Sequence, residues 1–121
     1  MQTLTHDSTP VAIQDDNVEL RMADVGDMVV SFITLKEGTD LGPALVGLEG
    51  DNCPCPHWGY MFSGRLQMRV PGGDRTYNAG EAFYWAPGHA PFALTDCSYV
   101  DFSPRAEFHA VVRHISGGAA G

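Results

Sequence analysis

Between Asp27 and Lys36 the chain reads DMVVSFITLK, a strand-length run of apolar and β-branched residues, and the Glu37-Gly38-Thr39-Asp40 cluster ends it. Leu41 to Leu48 is also apolar, but Gly42, Pro43 and Gly47 interrupt it, which predicts a bent strand or a barrel corner. A hairpin follows, with YMFS, a turn at Gly64-Arg65, then LQMRV; a second turn at Pro71-Gly72-Gly73-Asp74 leads into RTY. Asn78-Ala79-Gly80-Glu81 predicts another turn, AFYW a strand, Ala86-Pro87-Gly88 a corner, and FAL and SYVDF two more short strands around Thr95-Asp96-Cys97. Many short strands separated by turns predict an all-β sandwich or barrel.

Two ends depart from this rhythm. Residues 1–17 are polar and without periodicity, and Pro10 lies among them, so they read as a flexible N-terminal arm able to add an edge strand or reach a partner subunit. At the other end Phe108, Val111, Val112 and Ile115 fall at helical spacing. The pattern predicts a helix over about 104–116, with Ser103 as its cap, Pro104 at its first position, and Gly117 and Gly118 ending it. Residues 18–116 then form one domain, and 117–121 a disordered tail. The helix is expected to cover an open end or edge of the barrel.

A chain of 121 residues suits one such domain. Its 15 acidic residues against 7 basic ones give a formal charge of −8, which argues against nucleic acid and against anionic membranes as partners. The opening MQTLTHDSTP has neither the basic stretch nor the apolar run of a secretory signal, and no later window has the length of a membrane-spanning helix. A soluble, cytoplasmic protein is expected. Three cysteines is an odd number, and Cys53 and Cys55 are too close together to pair with each other, so reduced thiols are expected.

The candidate chemistry lies in Cys53-Pro54-Cys55-Pro56-His57, where two thiols and an imidazole alternate and point to one side of an extended backbone. Thiolate and imidazole together suit zinc or a related transition metal. Residues i and i+4 lie roughly 13 Å apart on a straight strand, so sharing an ion requires a bend, which Pro54 and Pro56 make accessible. The alternative is that Cys53 and Cys55 are small buried hydrophobes and His57 is hydrogen-bonded inside a polar cavity. His89, in APGHAP just past a Pro-Gly corner, is the best partner for His57, either as a second metal ligand or as a general base. His6, His109 and His114 read as surface residues, and Glu81 as a turn residue. Most of the aromatic residues are expected in the core, with one or two walling a ligand pocket.

HWGYMFSGR (57–65) and GEAFYWAPGHAP (80–91) together resemble the two-motif layout of the cupin superfamily, and the resemblance covers most of the chain. Placing the first motif's glycine on Gly64 puts His57 at its glutamate position, Cys53 at its second histidine and Asp51 at its first. In the second motif Gly80, Pro87 and Gly88 match, Pro91 takes the histidine position, and His89 stands two residues earlier. The segments CPCPHWGY and APGHAP, followed by VDFSP and a helix, are similar to a group of small bacterial cupins. The resemblance implies a double-stranded β-helix, or jelly-roll barrel, with a short C-terminal helix, commonly a homodimer. In cupins a divalent ion in the barrel mouth serves a small organic substrate. Here the substitutes for its usual ligands are Cys53, Cys55, His57 and His89, with zinc or iron as the expected metal and the two histidines as the catalytic groups. Loss of the usual ligands implies the alternative, a metal-free ligand-binding module or a metal-free isomerase or cyclase.

Overall fold

The computed structural model describes residues 1–117. Nine strands run as β1 (Val11–Gln14), β2 (Val18–Val25), β3 (Met28–Leu35), β4 (His57–Ser63), β5 (Arg65–Arg69), β6 (Arg75–Asn78), β7 (Ala82–Trp85), β8 (Ala90–Ala93) and β9 (Cys97–Pro104). A short helix α1 (Gly42–Leu45) and a terminal helix α2 (Arg105–Gly117) complete the fold. The strands form a six-stranded sheet in the order β1-β2-β3-β9-β4-β7 and a three-stranded sheet in the order β6-β5-β8, antiparallel throughout. The two sheets enclose a jelly-roll core in which Val29, Leu35, Met61, Leu66, Met68 and Tyr99 are buried. Gly64 makes the tight β4–β5 corner at φ +76°, where a Cβ would collide with the Asp96 carbonyl oxygen.

Three expectations are corrected and a fourth is met in part. Residues 1–17 add the edge strand of which they were expected to be capable, Val11–Gln14 pairing antiparallel with β2, but they are not loose throughout: Thr9 is buried, and His6 and Arg21 both contact Glu19. Polar residues hold this segment, which is why apolar periodicity does not reveal it. The Leu41–Leu48 stretch is not a strand but α1 and a turn, with Pro43 inside the helix's first turn, where its missing N–H costs nothing. The terminal helix starts at Arg105, because Pro104 still belongs to β9 and pairs with Met28. Ser103 is therefore not a cap and faces the barrel interior. Residues 118–121 of the expected tail lie outside the described residues.

The large sheet has an uncommon polarity. Its outer face carries Trp58, Tyr60, Phe62, Tyr84 and Phe102, all between 42% and 52% exposed, while Ser31, His57, Asp101 and Ser103 are buried on the inside. Trp58 lies opposite both Tyr84 and Phe102 on its neighbouring strands, so the exposed rings are contiguous across β7, β4 and β9. Of the strand residues on this face only Glu19 and Arg21 are charged, and they pair with each other at 3.2 Å.

Candidate metal and ligand site

Local chain geometry assembles the site. His57 opens β4 opposite Trp85 on β7, and an isolated antiparallel bridge between Cys53 and His89 continues the same register beyond the strands. The bridge is held by the Cys53 N–H donating to the His89 carbonyl and the Gly88 N–H donating to the Cys53 carbonyl, both at 2.8 Å. Pro54 and Pro56 have no N–H to donate, so the ladder is interrupted between these two rungs and the chain bends. The bend brings Cys53 Sγ to 3.5 Å from His57 Nε2, and one ligand atom from each of Cys53, His57 and His89 lies within 4.8 Å of the others. All three side chains are buried.

Both imidazoles are oriented through Nδ1. His89 Nδ1–H donates to the Ala86 carbonyl at 2.6 Å, which leaves Nε2 as an acceptor or ligand. His57 Nδ1 shares a 2.6 Å hydrogen bond with Ser103 Oγ, and a proton there leaves Nε2 free towards Cys53. Burial, with a smaller contribution from His89, pushes the His57 imidazole down to about 3, and burial lowers His89 as well. Burial pushes the Cys53 thiol up to about 11.

Asp101 stands behind His57. Its Oδ2 is 3.9 Å from His57 Nδ1 and its Oδ1 is buried without a hydrogen-bond partner. Complete burial pushes its carboxyl up to about 8, against the lowering effect of the Ser103 and Ser31 hydroxyls. Asp101 and Ser103 are absent from the sequence-level candidates; the signal lay in VDFSP, whose alternation puts aspartate and serine on one face and Phe102 on the other.

Cys55 does not join the group. Its thiol contacts the Pro56 carbonyl at 3.5 Å, and burial pushes it up to about 12. Asp51, at the first-histidine position of the resemblance, is exposed, and its carboxylate accepts the Gly47 N–H. His109 and His114 face Asp24 and the Val46 carbonyl, and His6 faces Asp7 and Glu19, so none of them enters the site.

Below the Cys/His group lies a cavity of about 160 Å3 whose lining is overwhelmingly apolar. Leu20, Ile33 and Leu45 line it from the barrel side, Ile13 and Val18 from the N-terminal strands, and Phe108, Val111, Val112 and Ile115 from α2. Trp85 lines it too, 6.3 Å from the His57 ring and 6.1 Å from the His89 ring between centroids, and its buried Nε1–H has no partner among the described residues.

No protein-family description and no curated protein matches the sequence. Solved structures do match the fold: an RmlC-like cupin from Shewanella frigidimarina superposes with a TM-score of 0.63 at 16% identity, over 89% of this chain and 96% of the other. The chain has the cupin fold. KdgF from a Halomonas species matches this cupin barrel with a TM-score of 0.61 at 20% identity, over 87% of this chain and 94% of the other. An oxalate decarboxylase of B. subtilis gives 0.62 at 14% identity over 84% of this chain, which spans 28% of that longer protein. These likenesses concern the barrel. Among the described residues no helix is long and apolar enough to cross a membrane.

Proposed function

We propose that this cupin barrel holds a divalent transition metal ion between Cys53, His57 and His89 and presents it to a small molecule in the adjoining cavity. The observation that carries the proposal is the convergence of one thiol and two imidazoles within 4.8 Å. Ligands bound to zinc at about 2.3 Å for sulfur and 2.1 Å for nitrogen lie about 3.6 Å apart at a tetrahedral angle, and Cys53 Sγ and His57 Nε2 are 3.5 Å apart. The donor set suits zinc or iron. Neutral imidazoles are the ligand form, and binding has to displace only the Cys53 proton. A bound ion would supply a Lewis acid with an open coordination position. The protein's own part is to hold the two rings through Ala86 and Ser103 and to exclude water with apolar walls.

The metal-free reading rests on the same cavity, with His57 and His89 as hydrogen-bonding anchors. General-base catalysis by His57 is disfavoured, because an imidazole held near 3 is a weak base at neutral pH. Elemental analysis of untagged protein separates the two readings. About one metal per chain is expected, with at least tenfold weaker binding in Cys53→Ser and His89→Ala, roughly 10- to 100-fold weaker binding in Ser103→Ala, and no change in Cys55→Ser. Protein that stays metal-free after reconstitution under reducing conditions leaves the ligand-binding module as the function.

We also propose that the chain forms a homodimer through the outer face of its large sheet and works in the cytoplasm, where its three free cysteines stay reduced. Aromatic residues bring about 150–250 Å2 apiece, so five half-exposed rings present on the order of 500 Å2, more than half of the ~800 Å2 per partner of a standard interface. Val11, Phe32 and Val100 extend the patch. The strand residues of the face carry one ion pair, Glu19–Arg21, with His6 and Asp7 beside it at the Phe32 edge, in a chain of net charge −8, so a second copy can meet the ring cluster itself without opposing carboxylates. Light scattering at tens of micromolar is expected to give a dimer for the wild type and a folded monomer for Tyr60→Arg. A dimeric Tyr60→Arg variant would place the contact elsewhere.

A further inference from the structure

The cavity also constrains what enters it. Its described lining contains no lysine or arginine, so no side chain of the wall would neutralise a carboxylate or phosphate, and a bound metal ion would be the one cation in reach. Asp15, the one acidic group at the end remote from the Cys/His cluster, already accepts the Asn17 and Val18 backbone N–H groups. The remaining polar groups, Cys53, His57, His89, Asp101 and the Tyr99 phenol, lie with Trp85 in the same lining.

Trp85 supplies the second observation. It is 3% exposed and its indole Nε1–H is one of the few buried polar atoms of the described residues without a partner. A buried donor left unpaired costs free energy, and a ligand oxygen that accepts from it recovers that cost. Size is the third constraint: an apolar cavity near 150 Å3 takes benzene, and this one is about 160 Å3.

We propose that the cavity binds a neutral, mainly hydrocarbon molecule of roughly six to nine heavy atoms, whose single acceptor oxygen meets Trp85 Nε1–H at the Cys/His end. Small cyclic ketones and phenols are of this class. In the metal-free barrel, organic anions of the same size have no cation in the wall to meet. The proposal rests on the functional reading above only in placing the oxygen beside the metal ligands.

The test is calorimetric titration of the protein as purified and after metal removal with a chelator, metal content measured in both, using benzene, cyclohexanone, phenol and benzoate as probes. In the metal-free protein cyclohexanone and phenol are expected to bind roughly fivefold to tenfold more tightly than benzene, as one neutral hydrogen bond provides, and benzoate at least tenfold more weakly than cyclohexanone. Trp85→Phe is expected to erase the advantage of cyclohexanone over benzene. Because that variant also changes the packing against Phe83, the ranking in the wild type is decisive by itself. Benzoate binding as tightly as cyclohexanone, or no binding by any neutral probe, would overturn the proposal. Protein that is metal-free as purified and ranks the probes as expected keeps this inference while the metal reading falls; protein that carries metal as purified but prefers benzoate after its removal does the reverse.

Discussion

The metal-stripped protein is expected to lose stability as pH rises from about 6.5 to 8, with Asp101→Asn removing most of that fall. Asp101 has an ordinary value of 3.8 and a folded one of about 8. Its raised value means that the folded state keeps a proton that the unfolded chain releases, so its contribution is complete below 3.8 and is lost as pH rises to about 8. His57 behaves oppositely: with an ordinary value of 6.5 and a folded one of about 3, its contribution is complete above 6.5 and is lost as pH falls to about 3. Between the two ordinary values the slopes of Asp101 and His57 cancel, and His89, which burial also lowers, adds a loss of stability as pH falls below 6.5. Between its ordinary and its folded value each group changes stability by about 1.4 kcal/mol per pH unit. Relative to the wild type, Asp101→Asn should therefore be similar at pH 4 and more stable by on the order of several kcal/mol at pH 9. Urea unfolding at pH 4, 5.5, 7 and 9 reads both limbs. A difference between the two proteins that does not change with pH would mean that Asp101 is ionised in the fold.

Gly59→Ala is expected to cost more than about 3 kcal/mol and to lower the yield of folded protein. Gly59 lies inward on β4, opposite Phe83 and Asp101, and a Cβ there would collide with the Val100 carbonyl oxygen and the Phe83 ring. Phe83 has no room to yield, because it stacks on Trp85 at 3.6 Å between centroids. The collision with Val100 involves backbone, so relief requires separating β4 from β9. Far-ultraviolet circular dichroism with a urea melt checks this. A loss below 1 kcal/mol would show that the two strands can part cheaply at this point.

What the sequence disclosed follows how each feature is encoded. β3, β5 and β7 are legible because their apolar runs are bounded by turn residues, and the meander from Gly64 to Pro87 follows the positions of glycine and proline. β2, VELRMADV, is not: Asp15-Asp16-Asn17 marks a turn before it, but charged residues alternate with its apolar ones and the run lacks a strong apolar signal. The cluster of Cys53, His57 and His89 was within reach because C-x-C-x-H and APGHAP are chemically unusual and the prolines announced the bend. Asp101 and Ser103 were not. Their inward orientation is set by the pairing of β9 with β3 and β4, a long-range register that local pattern does not carry, and the Ser-Pro pair before a helical stripe imitates a cap.

The cavity has two kinds of wall. Its Cys/His end is built from residues locked into sheet register and backbone bridges, whereas part of the remaining wall is four apolar side chains of α2, of which Phe108 lies edge-on to His57 at 5.6 Å between centroids. That helix follows β9 directly, and Arg105, His109 and His114 fasten it. Val111, Val112 and Ile115 can thus be exchanged for larger or smaller residues without disturbing a strand pairing or the neighbour of His57. The shape of the accepted molecule and the reactive group it meets are encoded in separate stretches of chain, so evolution or a designer can vary the first while the second stays intact.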